Sequence, residues 1–147
     1  MAIWVQNNVL ATDSHGVFLP ITACASTNPD VPGTLNGLAS SAQYTTYAYA
    51  SLLMAAAYNG NYLFLGTTDA YSQSLFQINI GTSTGSYGIV SGTHVYSRSF
   101  SNGMVLVNPT ATSYQVNVGS GFTNAATGAS ISSTVTVPAY TGLILKG

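Results

Sequence analysis

The sequence predicts a mainly β protein with one long helix (α+β), in which a βαβ-like N-terminal half precedes an antiparallel β-sandwich. Aromatic and alanine residues recur at helical spacing over residues 42–58. Hydrophobic and polar residues alternate in several short segments of residues 93–147. Glycine, serine and threonine dominate residues 81–92, which predicts a hinge loop between a βαβ-like segment, residues 1–80, and the β domain.

The first half contains two predicted strands. Residues 17–24 form a nearly continuous apolar run, typical of a buried strand. Pro20 lies within this run and donates no backbone hydrogen bond, so the strand is expected at a sheet edge or with an irregularity there. Residues 62–66 predict the second strand, whereas residues 2–10 are compatible with a short helix or a strand, and both alternatives remain open.

The predicted helix lies between these strands. Ser40 or Ser41 is a suitable N-cap, and Asn59-Gly60 is a suitable C-terminal stop. A strand, a helix and a second strand form a βαβ unit, which usually implies two parallel strands with a right-handed crossover.

The second half is predicted to be β throughout, with five or six strands. Residues 75–80 alternate and predict a strand before the hinge loop. Residues 93–100 and 103–108 flank Asn102-Gly103, a strong hairpin signal. A turn is predicted at Thr127-Gly128, and the remaining alternating positions are Tyr114, Val116 and Val118, then Val135 and Val137, then Leu143 and Leu145.

Charge is nearly absent from this chain. Of 147 residues, two are Lys or Arg and three are Asp or Glu, or 3%, against about 25% in typical soluble domains. The five are Asp13, Asp30, Asp69, Arg98 and Lys146, and there is no Glu. Two cations cannot neutralise a row of phosphates, which argues against nucleic acid as a partner. A net charge of −1 leaves little repulsion between copies, which favours self-association.

The low carboxylate count also predicts a stability that depends weakly on pH, suited to a hot or acidic exterior. Residues 48–58 form the longest non-polar stretch, which includes Ser51, and it is far shorter than the roughly 20 residues of a membrane span. No Lys or Arg lies near the start, so no signal peptide is visible. Cys24 is the single cysteine, which excludes an internal disulfide and predicts a small buried apolar side chain.

Residues 95–110 carry a family resemblance. The run VYSRSFSNGMVLVNPT resembles the segment that opens the small C-terminal β domain of certain extracellular glycoside hydrolases. There, a Tyr-x-Arg-x-Phe-x-Asn-Gly hairpin is followed by a Val-Leu-Val-Asn-Pro strand. The Gly128 turn, residues 135–138 and residues 142–145 are similar to the end of that domain.

Residues 1–70 resemble, more distantly, the last βαβ unit of the catalytic (β/α) barrel in such enzymes. The resemblance implies that residues 15–20 are the seventh barrel strand, residues 44–58 the following helix and residues 62–66 the eighth strand. A complete barrel needs about 250 residues, and glycoside hydrolysis normally needs a pair of carboxylates. This chain has no Glu and lacks the earlier strands, so no catalytic residue is transferred from the family.

Few residues qualify as sites. Asp69 and Tyr71 follow the second predicted strand, where barrel enzymes place their sites, and are candidates for a glycan contact. The alternative for Asp69 is an ordinary loop aspartate that caps a turn. The spacing of the metal-ligating residue types matches no metal-binding pattern, and no cofactor is predicted; these residues are Asp13, His15, Cys24 and His94.

Arg98, Asn102 and Gly103 are predicted to have structural roles. Arg98 is the only arginine, and we expect it to pair with a carboxylate or with backbone carbonyls and hold the two halves together. The ten tyrosines allow two interpretations, because aromatic rings stack on sugars and also pack well at protein interfaces.

Three functional hypotheses follow from this composition. The preferred one is a non-catalytic structural subunit that assembles with copies of itself into an extracellular or cell-surface filament or coat. The alternative is a carbohydrate-binding accessory portion of a glycoside hydrolase, with polysaccharide as the partner. An active hydrolase is the least favoured, because paired catalytic carboxylates are lacking.

Overall fold

The computed structural model describes residues 41–55 and 74–147. The helix α1 spans Ser41–Ala55, within the region where the sequence predicts one. Its predicted end at Asn59-Gly60, and the predicted strands at residues 17–24 and 62–66, lie outside the described residues. So does the undecided segment, residues 2–10.

Seven strands follow the helix in chain order. They are β1 (Gly88–Ile89), β2 (Tyr96–Phe100), β3 (Gly103–Asn108), β4 (Tyr114–Asn117), β5 (Thr123–Asn124), β6 (Thr134–Val137) and β7 (Thr141–Lys146). Five of them form one sheet in the order β1-β2-β3-β7-β5, and β4 and β6 form a second sheet. Every pair is antiparallel. The described part of the chain is therefore mainly β, as the alternating segments predict.

The central strands of the larger sheet are buried on both faces. Side chains alternate between faces along a strand, so Val105 and Val107 belong to the apolar cluster that includes α1, together with Ile144. Leu106 and Leu145 lie in the other cluster, which includes residues of β4 and β6. The helix thus covers one face of the five-stranded sheet, and the small sheet covers the other.

Two glycines set the spacing of these layers. A β-carbon at Gly142 would lie 2.5 Å from the β-carbon of Ala50 and 2.9 Å from the carbonyl oxygen of Thr46. A β-carbon at Gly103 would lie against the carbonyl oxygen of Leu145. Glycine at these positions allows α1 to pack directly on β7 and allows β3 to pair closely with β7.

The hairpin predicted at Asn102-Gly103 is present, but it lacks the type I′ turn that an Asn-Gly pair usually favours. Phe100 pairs with Gly103, so the two turn residues are Ser101 and Asn102. Neither has a positive φ, whereas a type I′ turn requires positive φ at both central residues. Gly103 is needed for its close approach to β7 rather than for backbone freedom.

The strand predicted for residues 75–80 is wrong. The amides of Gln77 and Ile78 donate to the carbonyls of Ser74 and Leu75, at 3.3 Å in both cases, which makes a helical turn. Local alternation is ambiguous over so short an apolar run, and Leu75 is buried in the same apolar cluster as residues of α1.

Residues 81–92 are hydrogen-bonded to β2 and to the turn that follows it. The Ser101 amide donates to the Thr82 carbonyl at 2.8 Å, and the Thr84 amide donates to the Ser99 carbonyl at 3.0 Å. These residues, which include β1, form an interrupted strand at the edge of the sheet, and we call residues 81–92 the edge segment. A domain boundary at this segment stays a prediction. Within residues 41–55 and 74–147, no helix has the length and apolar character that a membrane crossing requires.

Candidate interaction surface at the sheet edge

The site residues predicted from the sequence are mostly outside the described ranges. Asp69 and Tyr71, the candidate glycan contacts, lie there, as do Asp13, His15 and Cys24. His94 is exposed in the loop before β2, and its ring centre lies 6.0 Å from that of Tyr114. Among the described residues, no group of three or more His, Cys, Asp or Glu side chains is placed to hold a metal ion.

Arg98 lies between the sheet and the C-terminal end of α1. Its Nη1 donates to the carbonyl oxygens of Leu53 at 3.1 Å and Met54 at 3.0 Å, and its Nε donates to that of Gly85 at 3.0 Å. Carbonyls at the end of a helix carry partial negative charge, so a cation is stabilised there. The side chain is only 5% exposed, and desolvation by burial lowers the pKa of Arg98 below its usual value.

Arg98 therefore connects three separate parts of the chain. It lies in β2, it binds the last turn of α1, and it binds the edge segment at Gly85. Carbonyl oxygens are one of the two kinds of partner expected from the sequence. The contact with Gly85 holds the edge segment against the sheet just before β1, and so it fixes the position of the outermost strand.

An apolar and aromatic patch lies at this outermost strand. Ile89 is 58% exposed, more than any other large hydrophobic residue in the described part of the chain. It pairs directly with Tyr96 of β2, so the two side chains share a face of the sheet. The ring centres of Tyr87 and Tyr96 lie 6.0 Å apart in an edge-to-face arrangement. We call these three residues, Tyr87, Ile89 and Tyr96, the edge patch.

The loop that follows β1 is held by its own hydrogen bonds. The Val90 amide donates to the Val95 carbonyl at 2.8 Å, and the Thr93 amide donates to the Val90 carbonyl at 3.0 Å. The Thr93 hydroxyl also donates to the Val90 carbonyl at 2.8 Å and accepts from the Val95 amide at 3.0 Å. The edge patch is therefore presented on a tightly bonded hairpin.

The two edges of the five-stranded sheet differ. At β5, the Asn124 amide donates to the Ala129 carbonyl and the Ile131 amide donates to the Phe122 carbonyl, both at 2.8 Å. The chain returning after β5 thus covers that edge. At β1, no other strand among the described residues pairs on the outer side, so within residues 41–55 and 74–147 this edge is open.

The open edge is also uncharged. Residues 74–147 contain no Asp or Glu, and their only formal charges are Arg98 and Lys146. Arg98 is buried. Lys146 pairs with Gly103 at one end of β3, whereas Tyr96 pairs with Val107 near the other end. Natural proteins usually protect an open edge with lysine, proline or another charge, and here such protection is lacking within the edge segment.

Tyrosine beside an exposed aliphatic side chain is typical of surfaces that bind another molecule, because charged residues are depleted and aromatic residues enriched at interface cores. Sequence reasoning missed Tyr87 and Ile89, since β1 is too short to show alternation. The available signal was the pair of large side chains set among Gly85, Gly88 and Gly92.

Comparisons of the chain with protein-family models, with curated proteins and with solved structures found no match. The functional argument therefore starts from the edge patch and from the charge-poor composition.

Proposed function

We propose that this chain is a non-catalytic structural protein that assembles with copies of itself into an extracellular filament or coat, and that it is related to the end of a glycoside hydrolase. The observation that carries the proposal is the open edge strand β1, where Ile89 is 58% exposed beside Tyr87 and Tyr96. An open, apolar and uncharged edge is a template for pairing with another chain.

The charge distribution supports the same conclusion. Identical subunits bring like surfaces together, so every unpaired surface charge raises the free energy of association. With a net charge of −1 and 3% charged residues, this chain has little such repulsion. Solubility of the single subunit then depends on its exposed serine, threonine and asparagine side chains.

The proposal extends to the domain organisation. A βαβ-like first half, residues 1–80, a hinge at residues 81–92 and an antiparallel sandwich at residues 93–147 would match the end of a glycoside hydrolase that has kept its scaffold without its catalytic carboxylates. An extracellular or cell-surface location, hot or acidic, fits the near absence of titratable side chains.

A carbohydrate-binding accessory module is the second candidate, and the tyrosine pair favours it. Tyr87 and Tyr96 are half-buried with their rings in contact, and an aromatic ring at an uncharged, hydroxyl-rich surface suits a sugar face. In this case, the edge patch would bind polysaccharide rather than another subunit.

Electron microscopy and sedimentation velocity on the full chain at neutral pH separate the two candidates. We expect filaments or sheets in the micrographs and a sedimentation coefficient that rises with protein concentration. A single monomeric species from 1 to about 100 µM, the range in which weak association becomes visible, contradicts the structural role.

A polysaccharide pull-down tests the second candidate in the same preparation. Loss of binding in Tyr87→Ala and Tyr96→Ala, with binding kept in Tyr114→Ala as the control, favours the accessory module. Absence of binding to a broad glycan panel contradicts it.

A further inference from the structure

The direction of the backbone groups at Ile89 defines what this edge can bind. In an antiparallel pair, hydrogen-bonded positions alternate with positions whose N–H and C=O point away from the partner strand. The Val90 amide donates to the Val95 carbonyl across the β1–β2 ladder, so Val90 is a bonded position. Ile89, one residue earlier, pairs with Tyr96 at a non-bonded position. Its N–H and C=O therefore point away from β2, in the plane of the sheet.

Ile89 thus offers one donor and one acceptor side by side at the open edge. A second antiparallel strand that places a residue directly opposite Ile89 would satisfy both groups at once. When that residue is Ile89 of an identical chain, the two hydrogen bonds are related by a two-fold axis. This is the usual symmetry of soluble homo-oligomers.

Charge decides between a second copy and an unlike partner. An unlike partner would be selected by complementary charge, and the edge patch has none to offer. A two-fold contact places each side chain near its own counterpart, which requires that the surface carry no unpaired charge. The edge from residue 81 to residue 97 contains no Asp, Glu, Lys or Arg, so it meets this requirement.

The side chains around Ile89 fit the same arrangement. Gly88 has no atom within 4 Å of where its β-carbon would be, so the face of β1 beside Ile89 is uncovered at this position. Ile89 and Tyr96 lie on the same face of the sheet, and two copies of the edge patch would form one continuous apolar strip across the axis.

We infer that β1 pairs antiparallel with β1 of a second copy, with Ile89 opposite Ile89, to make one sheet of ten strands across the two chains. The inference rests on the proposed structural function and identifies one of its contacts. A two-fold contact alone closes at a dimer. In a filament or coat it would link two chains within the repeating unit, and a second contact would link the units.

Cysteine cross-linking tests the register directly. In a hydrogen-bonded antiparallel pair the α-carbons are ~5.5 Å apart, which is within the range that a disulfide spans. The Ile89→Cys variant is made in a Cys24→Ser background and oxidised. We expect most of the protein to become a covalent dimer, while Ser132→Cys, an exposed control position in the same background, stays mainly monomeric. Equal cross-linking of the two variants, or no cross-linking of the Ile89→Cys variant, overturns the inference.

A charge placed on the two-fold axis gives a second test that needs no oxidation. Ile89→Lys would bring two ammonium groups together, so we expect at least a tenfold loss of association in sedimentation velocity. Ser132→Lys adds the same charge away from the edge and is expected to associate like the original chain. Unchanged far-UV circular dichroism shows that both variants fold.

The outcomes distinguish this inference from the proposed function. If the original chain forms filaments and Ile89→Lys associates equally well, pairing through β1 is overturned while the structural function stands. If the original chain is monomeric at all concentrations, the structural function itself fails. If Ile89→Lys loses polysaccharide binding and the original chain is monomeric, the edge patch is a glycan site and both are overturned.

Discussion

The Nη1 atom of Arg98 donates a hydrogen bond of 3.0 Å to the carbonyl oxygen of Met54, 44 residues earlier in the chain. This bond joins β2 to the last turn of α1, in a region where Arg98 as a whole is 5% exposed. Together with the bond to Gly85, it makes one side chain responsible for the packing of the helix and of the edge strand.

Replacement of Arg98 by methionine is expected to lower the free energy of unfolding by about 3 kcal/mol or more, because buried carbonyls lose a charged donor. The stability of Arg98→Lys should lie between those of the original chain and Arg98→Met, since an ammonium cannot reproduce the planar fork of donors. Urea denaturation followed by circular dichroism measures both values. Lys146→Met removes the exposed cation and should change stability by about 0.5 kcal/mol at most. If Arg98→Met lost no more stability than Lys146→Met, the proposed role of Arg98 would be contradicted.

Asn108 gives a second prediction, because it is fully buried and joins two turns. Its Nδ2 donates to the carbonyls of Thr112 at 2.7 Å, Pro138 at 2.8 Å and Val137 at 3.1 Å, one proton being shared. Its Oδ1 accepts from the Thr110 amide and hydroxyl. Asn108→Asp would place a carboxylate against these carbonyls.

The pKa of that new carboxyl should be raised in the folded state, since desolvation and the carbonyls disfavour its charged form. A group whose folded pKa is raised contributes stability below its unfolded pKa and loses it as pH rises. The loss in Asn108→Asp should therefore be smaller near pH 3 than at pH 7, as melting temperatures would show. Asn117→Asp, at the exposed last residue of β4, is the control and should show little change. An equal loss at both pH values in Asn108→Asp would count against this account.

Gly142 is expected to tolerate no side chain. The β-carbon of Gly142→Ala would overlap Ala50 and approach the Thr46 carbonyl, so α1 must move away from β7. Overpacking of this kind costs about 1 to 3 kcal/mol. Gly85→Ala is the matched control, because no atom lies within 4 Å of its β-carbon position and its φ is not positive. Equal melting temperatures for the two variants would refute the close helix–sheet contact.

Alkaline pH should destabilise the protein, whereas acid should have little effect. Burial raises the pKa of Tyr49 above 10.0, and burial also raises that of Tyr47 despite an opposing hydrogen bond with Ser51. A raised folded pKa means that stability is fully present below the unfolded value of about 10 and is lost as pH rises above it.

The measurement is the melting temperature from pH 3 to pH 11. We expect a weak dependence up to pH 9, because the chain has only three acidic side chains, and a steep fall above pH 10. Tyr49→Phe removes one buried phenol and should reduce the slope of that fall while leaving the neutral-pH range flat. A steep fall in melting temperature between pH 7 and pH 3 would contradict the weak acid dependence. An alkaline slope that is the same in Tyr49→Phe as in the original chain would contradict the role of the buried phenol.

Local patterns predicted the longer strands of the β region well, because each of them carries its own signal. The positions flanking Asn102-Gly103 form a hairpin, and Gly128 has φ of +73° in a turn. Residues 75–80 misled the same reasoning, since a short apolar run has no decisive period. The edge patch was missed because its residues come from two separate strands, the edge segment and β2. In addition, β1 has only two residues, which is too short for alternation to be visible.

Composition by itself determined that this protein has almost no ionisable side chains. The alternation of side chains likewise determined where most strands lie, because a strand with one buried face repeats every two residues. Only the tertiary structure decided the order of the strands, the partners of Arg98 and Asn108, and the exposure of Ile89. These depend on which distant segments come into contact. Such contacts are made by packing and hydrogen bonds between residues far apart in sequence, so local sequence patterns do not show them.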